Sequence, residues 1–277
     1  MVLFSDVPQD IIEVIADEFR DDQKTLKQCS ITSRIFLVPA QRRLFSTVCL
    51  ELSGEIERCG RLLHVLRINP GIANYIRELR LVGNLSVNRR LTAISEDFLS
   101  TTFRFLTTQA LRSLHLSLGP NNNPGDWNSL PLTFSSTILH LISSSILTRI
   151  ELYHIDNFPI VFFTRCVHLK QLVLRKISVD HGCSGPVALS PLPCRETAQL
   201  DTLDMDGDSM RTVQKLGLHP QPLLDLSALR EFTMHTLVQG TEGGMWEVVK
   251  HVKSGLRFIW NHFYGIFRQN LEDGMDS

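Results

Sequence analysis

Ile76-Arg77-Glu78-Leu79-Arg80-Leu81 sets apolar side chains at its first, fourth and sixth positions and charged ones between them. The alternation across its second half puts Leu79 and Leu81 on one face of a strand and Glu78 and Arg80 on the other. The same spacing returns as Leu111-Leu114-Leu116, Leu147-Ile150-Leu152, Leu169-Leu172-Leu174, Leu200-Leu203-Met205 and Leu229-Phe232-Met234. A further copy starts at Leu256 with Ile259 and fails at Asn261. Successive starts lie 35, 36, 22, 31, 29 and 27 residues apart, and most gaps hold an apolar helical segment. These are Phe98 to Leu106, Phe134 to Ile142, Phe158 to Phe163, Met210 to Leu216 and Trp246 to Val252. Strand then helix, repeated at this period, is the pattern of units stacked side by side, with a parallel sheet inside and helices outside. The expected fold class is α/β.

Towards the N-terminus the unit begins at Thr47 to Leu52, which alternates polar and apolar like a short strand. Glu55 to Ile68 follows with Ile56, Cys59, Leu62, Leu63 and Leu66 at helical spacing, and Asn69-Pro70-Gly71 stops that helix. Before the unit stands VPQDIIEVIADEFRDDQKTLKQCSITSRIFLVPAQRRLF, residues Val7 to Phe45. It predicts three short helices. The first carries Ile11, Ile12, Ile15 and Phe19 as a stripe, with Asp6 and Gln9 as a capping box and Pro8 in the first turn. Asp21 and Asp22 begin the second, with Leu26 and Cys29 facing inward. Ser30 is expected to cap the third, whose apolar face is Ile31, Ile35 and Phe36, and Pro39 to kink or split it.

These residues resemble the F-box motif, in the variant common in fungal proteins. Pro8-Gln9-Asp10-Ile11-Ile12, Cys29 to Phe36 and Pro39 to Phe45 occur in the order and spacing of its three blocks, with Val7 where Leu is usual. The repeats resemble leucine-rich repeats of the long, irregular kind, over roughly residues 47–263. The resemblances imply an F-box helical domain over 1–46, a leucine-rich-repeat solenoid over 47–263 and a tail over 264–277. They also imply a function. An F-box binds the Skp-type adaptor of a cullin-RING ubiquitin ligase, and the repeats then present a protein substrate. By that carry-over Pro8, Ile11, Ile12, Ile15, Leu26, Cys29, Ile31 and Phe36 match adaptor-facing or core positions. Without the motif, the same stripe reads as the inside of a small helical bundle.

If the apolar residues of the repeats point inward, the residues between them form an outward row. It runs Glu78, Arg80, Val82; Ser113, His115, Ser117; Arg149, Glu151, Tyr153; Gln171, Val173, Arg175; Thr202, Asp204, Asp206; Glu231, Thr233, His235; and Phe258, Trp260, His262. Arg, Tyr and Trp commonly dominate interface energies. The candidate substrate-binding residues are accordingly Arg80, His115, Arg149, Tyr153, Arg175, Asp204, Asp206, His235 and Trp260. Two stretches fit no repeat and are expected to be loops, Gly119 to Asp126 and Asp180 to Arg195.

Composition excludes several classes. Twenty-eight Lys and Arg against 29 Asp and Glu leave a net charge of -1, which argues against a nucleic-acid partner. No apolar run approaches the roughly 20 residues that span a bilayer, so neither a membrane partner nor a secretory route is expected. Cytosol or nucleus is the expected location. Cys29, Cys49, Cys59, Cys166, Cys183 and Cys194 show no C-x-x-C pair and read as reduced thiols, and the sequon at Asn84 is then silent. The string Leu203-Asp204-Met205-Asp206-Gly207-Asp208-Ser209 is similar to the nucleophile loop of haloacid-dehalogenase-type phosphotransferases. Its position late in the chain does not suit one, and Ser209 and Lys215 stand where a calcium loop needs Gly and Glu. A non-catalytic chain with no cofactor and no metal is therefore expected. A repeat scaffold without ligase association and a metal-dependent phosphatase at Asp204 and Asp206 are the alternatives. Phe258 to Phe267 is dense in aromatics where a solenoid needs a polar cap, so either it folds back or the chain is shorter than the working protein.

Overall fold

The computed structural model describes residues 7–52, 56–83, 93–106, 110–120, 123–144, 146–179, 197–217, 222–235, 247–250, 252 and 257–260. The chain is mixed α/β, with parallel strands, helices between them and, among the described residues, no closed barrel. It divides into two compact units. The first comprises Met1–Val82, Leu91–His115 and Pro131–Ile146, the second Gly83–Arg90, Leu116–Leu130 and Leu147–Ser277.

The first unit opens with α1 (Gln9–Glu18), α2 (Gln23–Thr32) and α3 (Arg34–Leu44). Asp22 caps α2 by accepting from the amides of Lys24 (3.1 Å) and Thr25 (3.0 Å). The Thr25 hydroxyl donates to its other oxygen at 2.6 Å, and these bonds hold the carboxyl below its usual range. Three expectations are corrected here. Pro8 stands at the N-cap of α1 with no side-chain capping bond, and Asp6 lies outside the described residues. Ser30 does not cap α3; its hydroxyl bonds back to the Lys27 carbonyl at 2.7 Å, so α2 runs on and the extended Ser33 precedes α3. Pro39 does not split α3, which continues through it with Pro39 and Ala40 buried.

The strand β1 (Thr47–Glu51) then pairs in parallel with β2 (Glu78–Val82), joined by α4 (Ile56–Ile68) and a 3-10 helix over Pro70–Tyr75. Helices α5 (Ala93–Leu106) and α6 (Leu132–Ser144) complete this unit, with Phe103 and Phe134 in ring contact at 5.9 Å. Strand β3 (Ser113–Ser117) passes from one unit into the other, since His115 ends a segment of the first and Leu116 begins one of the second.

In the second unit β4 (Gly125–Asp126) pairs with β5 (Arg149–Phe158), which is followed by β6 (Gln171–Val179). A separate two-stranded sheet joins β7 (Ala198–Gln199) to β9 (Leu224–Asp225). The main ladder continues through β8 (Thr202–Met205), β10 (Glu231–Met234) and β11 (Arg257–Trp260), all parallel, with α7 (Met210–Gly217) after β8. Every expected strand is present. The final copy, from Leu256, forms β11, and residues 247–250 are helical. Phe158 is a correction, because it closes the long β5; only Ile160–Arg165 coils, as a 3-10 helix. The first expected loop is partly a strand: Gly125 and Asp126 face Ile155 and Asp156, and Asn157 Nδ2 donates to Asp126 at 3.1 Å. The second, at 180–195, lies outside the described residues, as does the chain beyond Trp260.

The eighteen apolar residues of the first six repeat copies are the core: none exceeds 2% exposure. Full burial of one such side chain contributes about 1.5–3 kcal/mol. The strand starts share a hydrogen-bond device. The Ser46 carbonyl accepts from the amides of both Arg77 (2.8 Å) and Glu78 (3.0 Å), and Arg77 does the same for Arg112 and Ser113. In the second unit Thr148 serves Lys170 and Gln171, Lys170 serves Asp201 and Thr202, and Asp201 serves Arg230 and Glu231.

Candidate functional site

Two surfaces carry the candidate residues, one in each unit. On α1–α3 of the first unit the buried residues are Ile12, Ala16, Leu26, Pro39 and Ala40. A core of that size, built largely from small side chains, leaves much apolar surface uncovered. Ile11 is 46% exposed and Ile31 82%, and Val14, Ile15, Phe19, Leu37 and Val38 are exposed too. Pro8 is exposed, Cys29 and Phe36 are half-buried, and Ile12 and Leu26 are interior. Ile31 therefore leaves the expected apolar face of α3 and stands outward at the end of α2. Val14, Leu37 and Val38 escaped the sequence reading. Val14 lies three residues beyond Ile11, a spacing that would have placed the two on one side of α1.

Arg80 and His115 also belong to the first unit. Arg80 is exposed and its Nε donates to Glu78 at 2.6 Å, while Glu78 accepts from the Thr47 hydroxyl at 3.3 Å. His115 is half-buried on β3.

The second surface is the polar face of β5, β6, β8 and β10. Ladder register aligns Arg149 with Gln171, Thr202 and Glu231, and Glu151 with Val173, Asp204 and Thr233. Arg149 donates through Nε to Glu151 at 2.7 Å and through Nη1 to Gln171 at 3.3 Å. The Tyr153 hydroxyl reaches the other oxygen of Glu151 at 3.3 Å. Arg175 Nη2 donates to Asp204 at 2.7 Å, and His235 Nε2 meets the same oxygen at 3.0 Å. Both reach Asp204 diagonally across the ladder, a span that long side chains cover. Burial pushes the Tyr153 phenol up, and the Glu151 charge adds to the effect. Chemically this is a half-buried lattice of opposite charges with an aromatic ring among them, suited to binding. Among the described residues no group of three or more His, Cys, Asp or Glu converges as metal ligands would.

Asp206 is not on that face. It is buried, with Oδ1 accepting from the Ser209 amide (3.0 Å) and hydroxyl (2.7 Å) and Oδ2 from the Lys176 amide (2.8 Å). Ser209 Oγ in turn accepts from the Ile177 amide at 3.1 Å, and the Thr212 hydroxyl donates to the Ile177 carbonyl at 2.8 Å. Asp206 thus fastens β6 to the start of α7. Val173 and Ser117 are likewise buried, Val173 lying in the ladder between Glu151 and Asp204. The Trp260 backbone is in β11, its side chain outside what the structure describes, and His262 lies outside the described residues altogether.

Next to this face two non-glycine residues take left-handed backbone angles at the same ladder step, His154 (φ 53°) and Lys176 (φ 52°). Burial, with the Lys176 charge behind it, pushes the His154 pKa down. Of the thiols, Cys49 is exposed on β1, whereas Cys59 and Cys166 are buried and pushed up by desolvation. Cys183 and Cys194 lie outside the described residues. Among the described residues no helix is long and apolar enough to cross a membrane. Comparison of the chain with family models, with curated proteins and with solved structures finds no match.

Proposed function

We propose that the chain is the substrate-recognition subunit of a cullin-RING ubiquitin ligase, with an F-box in α1–α3 that docks a Skp-type adaptor and irregular leucine-rich repeats that hold a protein substrate. The observation that carries the reading is the imbalance of the N-terminal helices, which expose Ile11, Val14, Ile15 and Ile31 around a core of five buried residues. Apolar residues aligned along a short helix are what a partner's groove takes. The three sequence blocks that resemble the F-box fall on these same helices.

In this reading the chain performs no covalent chemistry. It raises the local concentration of a substrate lysine near a conjugating enzyme carried by other subunits, in the cytosol or nucleus. The polar lattice of Arg149, Tyr153, Arg175, Asp204 and His235 is the proposed substrate surface of the second unit, with Trp260 a further candidate there and Arg80 and His115 separate candidates on the first. Asp206 drops out of it, since its carboxylate already serves three protein donors.

The test is co-expression with a tagged Skp-type adaptor and purification on that tag. A stoichiometric complex is expected, and Ile11→Asp should remove it while leaving the circular dichroism spectrum unchanged, because an exposed Ile11 is not needed for folding. A buried unpaired carboxylate at such a contact costs several kcal/mol. If the folded chain ignores the adaptor, or Ile11→Asp binds as well as the parent, the docking assignment fails and a repeat scaffold without ligase association takes its place.

A further inference from the structure

The first unit contains an open groove of about 390 Å³ that the adaptor reading does not use. Three guanidinium groups, Arg42, Arg43 and Arg77, and two carboxylates, Glu13 and Asp17, line it, with the ring of Tyr75 on one wall. Arg42 pairs with Glu13 at 2.9 Å and also lies over the Tyr75 ring, 5.9 Å from its centroid. Arg43 pairs with Asp17. Arg77 differs from both. Its Nη1 donates to the Ala110 carbonyl at 3.0 Å, which fixes the side chain, and among the described residues it has no carboxylate partner.

We propose that this groove binds a phosphomonoester dianion, with Arg77 as its anchor and Arg42 and Arg43 closing on it. Three converging cations against two carboxylates leave a positive surplus at Arg77. Both existing ion pairs are half exposed, with side chains 41–51% accessible, so a dianion can compete for their guanidiniums at little cost. Planar guanidinium forks match phosphate geometry, and the Tyr75 ring supplies a surface beside the charge for whatever carries the phosphate. The groove also stands clear of Ile11 and Ile15, the two docking residues of α1 that the sequence singles out. Glu13 and Asp17 each lie two residues beyond Ile11 and Ile15, roughly 200° further round α1, so the groove's carboxylates stand on another flank from those two residues, with Val14 between the flanks. The proposal therefore stands or falls separately from adaptor binding.

The full chain is titrated at fixed ionic strength with inorganic phosphate and with N-acetyl-phosphoserine methylamide, following heat by calorimetry, with chloride as the control anion. Saturable binding of phosphate but not chloride is expected. Arg77→Gln should weaken it about tenfold or more, the loss of a charge-assisted donor pair. Glu13→Gln, which removes a competing carboxylate and leaves Arg77 in place, should tighten it about two- to fivefold. Tighter binding of the phosphoserine amide than of inorganic phosphate assigns a peptide-borne ligand, and equal binding a free phosphate; both support the site. No saturable binding by the parent chain overturns the proposal. So does binding that Arg77→Gln leaves unchanged, or that Glu13→Gln weakens.

Discussion

Replacing Asp206 by Ala should measurably destabilise the second unit, although the residue sits in a string that looks catalytic. The side chain accepts three hydrogen bonds, from the Lys176 amide at 2.8 Å and from the Ser209 amide and hydroxyl at 3.0 and 2.7 Å. Truncation takes the acceptor from one backbone donor, the Lys176 amide, at about 1–3 kcal/mol, while the Ser209 amide keeps the Asp206 carbonyl at 3.3 Å and loses only its shorter bond. The Ser209 hydroxyl can turn to another acceptor and adds less. The expected loss is about 2–3 kcal/mol, a sizeable share of the roughly 5–15 kcal/mol by which domains are stable. A second contribution has the opposite sign. Lys176 is held at φ 52°, a strained backbone for a lysine, and losing its bond to Asp206 lets that strain relax. Asp206→Asn keeps one acceptor oxygen and should lose about half as much. Urea unfolding followed by circular dichroism gives the total, and native-state hydrogen exchange at the Lys176 and Ser209 amides locates it. A change below about 1 kcal/mol in Asp206→Ala, with both amides still protected, would refute the structural role assigned to this carboxylate.

Two other outcomes follow from geometry already described. A Cβ on Gly125 would meet the Leu118 carbonyl oxygen, and one on Gly119 the Asn123 carbonyl oxygen, both backbone atoms that cannot swing aside. Gly125→Ala should therefore cost about 1–3 kcal/mol in thermal or urea unfolding, whereas Gly60→Ala, inside α4 with open space around it, should stabilise by about 0.5–1 kcal/mol. His154 has its pKa lowered by burial first and the Lys176 charge second, so folding favours its neutral form. Its contribution is present above the unfolded value, near 6.5, and is lost as pH falls below it. In His154→Asn, a residue that tolerates a left-handed backbone, the decline in stability between pH 7 and 5 should be shallower than in the parent; an unchanged slope would count against this origin.

The sequence made the core legible because the repeats are anchored by burial, and burial follows directly from which side chains are apolar. All eighteen pattern residues are interior, and strand positions followed from their spacing. Local polar choices were harder to see. Ser30 has the composition of a cap, yet its hydroxyl bonds backwards to Lys27, and Ser33, which stands at the N-cap of α3, makes no side-chain capping bond. Asp206 continues the alternation of Thr202 and Asp204, so the pattern assigned it to the outward row. β8 ends at Met205, however, and the turn towards Ser209 carries the carboxylate inside. Phe158 looked helical because aromatic residues follow it, yet β5 runs on to it past left-handed angles at His154 and Asn157 that no propensity announces. The pairing of Arg175 and His235 on one oxygen of Asp204 required knowing which strands are neighbours. Each residue was visible in the sequence, but their convergence was not.

The doubled hydrogen bond at the starts of β2, β3, β6, β8 and β10 has a further consequence for how such a chain can change over generations. One carbonyl of each unit fixes two successive amides of the next, at Ser46, Arg77, Thr148, Lys170 and Asp201. Alignment is passed from neighbour to neighbour, so no strand needs to recognise a distant one. Inserting or deleting a single residue between such a pair of amides and the apolar positions that follow would turn those side chains to the wrong face. Gaining or losing a whole strand-and-helix unit leaves every handover intact. Gaps between copies that range from 22 to 36 residues show that within this chain the return path varies in length while the strand step is kept. Growth by duplication of whole units, rather than drift in strand length, is the route this architecture leaves open.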